Sequence, residues 1–195
     1  MYLQKINRLW TYKRLVESVA NYIIDSELTV NRGVNIANTR KIKAMLQVIP
    51  STLPYLVDIS KLSKSVSIDR VTLLKYLKCL DEAKLLRCLY TELDKITDLQ
   101  KPDKLLMDNT NLLYTFSETE PEKGTLRETF FCNQLSSAGH VVEYGGIKTV
   151  IEVGGQGKDW SQIGGEDLTG AALAVDDIEL ASGKKIPLWA FGCLY

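Results

Sequence analysis

Four cysteines and one histidine are the residues best suited to nucleophilic or zinc chemistry in this chain of 195 residues. Cys79, Cys88, Cys132 and Cys193 form no Cys-x-x-Cys pair, so a zinc ribbon has no ligands at the required spacing. His140 stands alone, which excludes any site built on two imidazoles. Each cysteine has apolar neighbours (YLKCL, LRCLY, TFFCN, FGCLY), the setting of small buried side chains in a reducing compartment. A Cys–His nucleophilic pair using His140 has no local signature to support it.

Charge supplies the second chemical handle. The totals balance, with 24 Lys and Arg against 24 Asp and Glu. Residues 1–110 nevertheless hold 18 basic and 12 acidic side chains, a net of +6, and residues 111–195 hold 6 and 12, a net of −6. Such asymmetry suits an anionic partner for one half, or docking of the two halves on each other, as well as scatter over solvated faces. The excess is concentrated in residues 36–90, with 10 basic against 4 acidic residues. Arg70, Lys75 and Lys78 are the candidate nucleic-acid contacts. No stretch approaches the roughly 20 uncharged apolar residues of a membrane span. The opening MYLQKINRLW carries charges where a signal peptide needs an apolar core, so a cytoplasmic location without membrane attachment is expected.

The elements that must position these groups follow from periodicity. Residues 4–30 read as a helix with Ile6, Leu9, Trp10, Leu15, Val19, Tyr22 and Ile23 on its apolar side. A second helix follows, capped by Asn38 or Thr39, faced by Ile42, Met45, Leu46 and Ile49, and ended by Pro50 and Pro54. Asp58 caps a short helix carrying Ile59, Leu62 and Val66. After a turn at Ser67, Val71, Leu74, Leu77 and Leu80 give another, which exposes Arg70, Lys75, Lys78 and Lys84. Two helices joined by a turn of three or four residues match a helix-turn-helix, and the apolar segments 85–90 and 104–107 supply the hairpin of a winged helix. The second helix lacks the Asn, Gln and paired Arg of base readers, so the pattern speaks more for the fold than for sequence-specific binding. Thr125 with Glu128 forms a capping box before Leu126, Phe130, Phe131 and Leu135, and Gly139 ends that helix. Strands are expected at 140–144 and 150–153, turned at Gly145–Gly146, then a short helix in KDWSQI, a buried strand ALAVDDIE and a core-docked IPLWAFGCLY.

Several phrases together resemble one bacterial and archaeal family: IANTRKIKAMLQVIPSTLPY, ISKLSKSVSIDRVTLLKYLKCLDEAKLL, LQKPDKLLMDNTNLLY, RETFFCNQL, EVGGQGK, VDDIE and KKIPLWAFGCLY. The family is that of predicted AAA-type ATPases ending in a domain of unknown function. The resemblance covers about residues 30–195. It implies an α/β (α+β) chain, with a helical linker at 1–35, a winged helix at 36–108 and a small restriction-endonuclease-like α/β domain at 109–195. The family's ATPase needs a Gly-x4-Gly-Lys-Ser/Thr loop, whose amides cradle phosphates. Here Lys148–Thr149 follows Ile147. Lys158 follows Gly157 but precedes Asp159, and Glu152 stands where the first Gly belongs. ATP therefore belongs to a domain absent from this sequence, which looks like the C-terminal portion of a longer product or a shortened paralogue.

The resemblance also implies a PD-(D/E)XK nuclease ancestry, in which an Asp and a Glu hold Mg2+ against the phosphate and a Lys orients water. Glu152 matches the strand Glu, Lys158 the Lys (at a wider E-x5-K spacing), and Glu128 the helix Glu that can complete the site. The partner Asp is missing, since no Asp lies between Asp108 and Asp159. About one strand before EVGG is missing with it. The same residues have structural readings: Glu128 in a capping box, Gly154–Gly155 in a turn, Lys158 at a helix start, Asp176 and Asp177 as turn formers. The expectation is a non-catalytic module that binds nucleic acid, a protein partner or the ATPase body, with no cofactor. The alternatives are a Mg2+-dependent nuclease using Glu128, Glu152 and Lys158, and a winged-helix regulator.

Overall fold

The computed structural model describes residues 2–29, 34, 36–52, 58–91, 100–142, 151–159 and 171–193. The described residues form helices and two small sheets. Helix α1 (Tyr2–Tyr22) runs on into a π-helical turn, Ile23–Leu28. Hydroxyls loosen that turn: Ser26 Oγ donates to the Tyr22 carbonyl and Thr29 Oγ1 to that of Asp25, competing for the helix's own acceptors. Of the expected apolar side of this helix, Ile23 packs against the core, most of the rest is exposed, and the side chains of Ile6 and Leu9 lie outside the described residues. Ala20, Ile24 and Leu28 are buried, whereas Trp10, Leu15, Val19 and Tyr22 are exposed.

Helix α2 (Ile36–Thr52) buries Ile42, Met45, Leu46 and Ile49 as its spacing requires. It begins before Asn38 and Thr39, so neither caps it, and it runs two residues past Pro50. A proline in the last turn removes one ladder bond where the helix is ending anyway. Helix α3 (Ile59–Val66) is capped by Asp58 as expected, and α4 (Arg70–Glu82) is capped by Asp69, which sequence reasoning passed over. Asp58 accepts from the Lys61 amide and Asp69 from the Thr72 amide, each at 3.0 Å. Both carboxyls titrate below the usual range, Asp58 through its Lys61 amide and Asp69 through Thr72, whose side chain and amide bond to it. Ser67 stops α3 in a left-handed conformation, φ 51°.

The hairpin β1 (Leu86–Leu89) and β2 (Lys104–Met107) is antiparallel, with Arg87 opposite Leu106. Its two faces serve different cores. Leu86, Cys88, Leu105 and Met107 pack with α2, α3, α4 and the short helix α5 (Thr110–Phe116). Leu89 and Leu106 pack with Phe131 and Cys132 of α6 (Lys123–Ser137), Ala174, Leu188 and Phe191. Period-two alternation divides the strands this way. The boundary expected at 108/109 thus follows a hairpin shared by both sides.

Asp81 ties α4 to this hairpin by accepting the Cys88 amide at 2.9 Å. Burial raises its carboxyl above the ordinary value near 3.8, against the lowering effect of that amide. A carboxyl raised on folding holds its proton more tightly in the native state, so stability falls as pH climbs from its unfolded value through its folded one. Asp81→Asn keeps the acceptor oxygen and removes the charge. Its unfolding midpoint in urea is expected to gain on the wild type as pH rises from acid to neutral. A gain that shrinks over that interval contradicts the assignment.

A three-stranded parallel sheet, β3–β4–β5 (Ile151–Gly154, Ala172–Val175, Lys185–Pro187), closes the fold, followed by a 3-10 helix, Leu188–Cys193. Residues 140–142 are not a strand, and the remainder of that expected strand and its Gly145–Gly146 turn lie outside the described residues. Lys158 and Asp159 do not begin a helix, and the rest of KDWSQI lies outside them too.

Candidate functional site

The first candidate surface is the outer side of α4. Leu73, Leu74, Tyr76, Leu77 and Leu80 hold the helix to the core. Val71, Lys75, Lys78 and Glu82 recur at i, i+4, i+7 and i+11, and all four are exposed, so an acid shares this face with the two lysines. Val71, expected in the core, is 47% exposed. Arg70 is exposed at the first helical position, where a cation opposes the helix dipole; helix stability does not explain it there. Lys61 and Lys64 of α3 are exposed as well, and Lys41 of α2 donates to the Ser67 carbonyl at 2.9 Å. Arg70, Lys75 and Lys78 therefore sit on one exposed helix beside other cations.

The second candidate is the set Glu128, Glu152 and Lys158, which the fold divides. Glu152 and Lys158 come together as an ion pair at 3.0 Å. Gly154 makes that possible, because a Cβ there would stand 2.8–3.0 Å from Lys158 Cδ, Cγ and Cβ. Ile151 and Val153, the neighbours of Glu152 on β3, pack into the core shared with α6. Alternation then sends Glu152 to the opposite face of the sheet. Glu128 sits on α6 and pairs with Lys104 of β2 at 2.6 Å. It caps nothing: α6 begins at Lys123, Glu122 is at the N-cap without a side-chain bond, and Thr125 is buried.

A third cluster lies at the ends of β3 and β4. Arg127 Nε donates to Asp176 Oδ2 at 2.9 Å, and its NH2 lies 3.5 Å from Asp177 Oδ2. Gly155 admits the guanidinium, which would stand 3.1–3.3 Å from a Cβ. Asp177 has φ 62°, a turn conformation that Asp tolerates. Asp176 and Asp177 are thus turn residues held by Arg127. Between the hairpin and α6 a buried pair completes the set, Arg87 NH2 with Asp108 Oδ1 at 2.6 Å. Sequence reasoning passed over Arg87, Lys104, Asp108 and Arg127. For Arg87 and Lys104 the available signal was the one charged residue set among apolar ones in each hairpin strand, which marks a face covered by something polar; Asp108 and Arg127 carry no such signal.

The thiols are poor nucleophiles where they are buried. Burial pushes the Cys132 thiol up to about 11 and raises that of Cys88. His140 is exposed at the end of α6. Cys79 is half-buried and Cys193 exposed, so the reading of four buried cysteines holds for two. Among the described residues no three His, Cys, Asp or Glu side chains gather as a metal site would, and no helix is long and apolar enough to cross a membrane. No protein-family model matches this chain, and no curated protein or solved structure matches it significantly.

Proposed function

We propose that this chain is a non-catalytic nucleic-acid-binding module, a winged helix whose hairpin is backed by a small nuclease-like α/β unit, of the kind that ends the AAA-type ATPases its sequence resembles. The observation that carries the reading is the set of exposed cations on α4, Arg70 with Lys75 and Lys78, flanked by Lys61 and Lys64. Cations exposed along one helix suit the regular negative charge of a phosphate backbone. The absence of amide side chains from that helix fits backbone contact rather than base reading. The acidic half supports a structural role, since Glu128, Glu152 and Asp176 each hold a cation of this chain.

Fluorescence anisotropy with a labelled duplex over a salt series tests this reading. Weak binding that falls steeply with salt is expected. The triple variant Arg70→Gln/Lys75→Gln/Lys78→Gln should flatten the plot of log K against log salt by up to about 2–3, at roughly 0.9 for each phosphate no longer neutralised. An unchanged slope removes the nucleic-acid reading in favour of a protein contact.

The second reading, a metal-dependent nuclease, is favoured by one observation, the adjacency of Glu152 and Lys158. Asp159 and the acids ending β4 are the other carboxylates near in sequence to that sheet's residues. Plasmid nicking with Mg2+ or Mn2+ that disappears in Glu152→Ala selects this reading, and intact plasmid in both proteins selects the first.

A further inference from the structure

Helix α1 is docked by one side and apolar on another. Ala20 and Ile24 are buried, with Val16 and Ile23 packed at the edge of the same core. About a third of a turn away, Tyr12, Leu15, Val19 and Tyr22 are exposed by 48%, 61%, 52% and 69%. Their spacing of three, four and three residues is the a–d repeat of a coiled-coil seam. Single exposed apolar residues need no explanation, but four in line along a firmly seated helix make a patch that water covers at a cost.

The charge along the same segment says what covers it. Lys5, Arg8, Lys13 and Arg14 precede Glu17 in the sequence, and Asp25 and Glu27 follow it, with no acid before and no base after within residues 2–28. Asp25 already holds Lys43 at 2.6 Å, while Glu27 is exposed. Two parallel copies would place base on base and acid on acid. Two antiparallel copies place the basic end of each beside the acidic end of the other.

We propose that the stripe pairs with the same stripe of a second copy, the two α1 helices antiparallel about a two-fold axis at Glu17. Tyr12 then meets the second copy's Tyr22, and Leu15 meets its Val19. Both pairs centre on the same residue, as a self-complementary two-fold contact requires. Four anchors a side fall short of the roughly 800 Å2 per partner of a standard interface, so the dimer is weak and reversible.

Sedimentation equilibrium of the whole chain over a concentration series tests this. The mass should rise from 21.9 kDa toward twice that value. Leu15→Glu and Val19→Lys, both at exposed positions, should each stay monomeric where the wild type pairs, with unchanged circular dichroism. Mixing the two variants should restore the dimer, because positions 15 and 19 face each other in the antiparallel register. A wild type that stays monomeric at every concentration leaves the stripe to a different protein and overturns the proposal. Failure of the mixture to recover overturns the register and with it the antiparallel pairing.

Discussion

Replacing Asp108 with alanine should cost about 3–5 kcal/mol of folding stability, the penalty for leaving a buried cation without its partner. Arg87 and Asp108 meet at 2.6 Å with side chains only 13% and 8% exposed. Arg87 also donates from NH1 to Ser136 Oγ at 2.6 Å, and its Nε is buried without a partner. Asn133 Nδ2 reaches the second carboxylate oxygen at 3.5 Å. The guanidinium cannot shed its proton to escape burial, so the loss of Asp108 falls on a charge held away from water. At roughly 2–4 °C per kcal/mol for a chain of this size, the melting temperature should drop on the order of 10 °C. The double replacement Arg87→Met/Asp108→Leu should cost far less, because it removes both charges and keeps volume between the hairpin and α6. Urea unfolding of the three proteins decides the matter. A loss below about 1 kcal/mol for Asp108→Ala would put this pair among ordinary surface bridges and sink the argument.

That pair marks where sequence reasoning stops. Local chemistry was readable: Asp58 caps α3, Ser67 breaks the chain after it, and Gly139 leaves α6 at φ 83°. Each of those features is set within one helical turn. The β1–β2 pairing was readable from two short apolar runs around a polar connection. Thr125-x-x-Glu128 shows how a local signature fails. The motif fits a capping box, but the helix starts earlier, Thr125 is drawn into the core, and Glu128 finds Lys104 across the hairpin. Tertiary packing set that helix's start. Helix α5 went unread although Asn109 caps it and Leu112, Leu113 and Phe116 give its face, because seven residues hold too few turns for a period to show. The side of the sheet on which Glu152 lies was also invisible. Ile151 and Val153 are both apolar whichever face is covered, and only the position of α6 decides it. Helix α1 carries two apolar stripes, and periodicity identifies a helix without saying which stripe finds the core.

Phe191→Ala should match Asp108→Ala in cost, at about 3–5 kcal/mol, for an apolar reason. The 3-10 helix Leu188–Cys193 is held by hydrogen bonds of poorer geometry than an α-helix has, and it is longer than such helices usually run. Its attachment rests on Leu188 and Phe191, which are 5% and 7% exposed. The Phe191 ring meets that of Phe131 edge-on at 4.8 Å and 71°, a geometry that adds roughly 1 kcal/mol to the area buried. Phe131 belongs to α6, so the contact fastens the end of the described chain to the helix that also faces the hairpin. Strand β5 pairs with β4 over three residues and runs directly into the 3-10 helix, so loss of the anchor should also speed amide exchange in β4 and β5. Trp189 supplies the control. It lies two residues away on the same short helix but is 59% exposed, and Trp189→Ala should shift stability by no more than about 0.5 kcal/mol. Neither change touches α4, so the proposed salt-dependent binding of DNA should be the same in both variants as in the wild type. Equal losses from the two replacements would mean that the segment is held by its bulk rather than by the Phe131–Phe191 contact. A Phe191→Ala protein with wild-type stability would mean that the contact holds nothing.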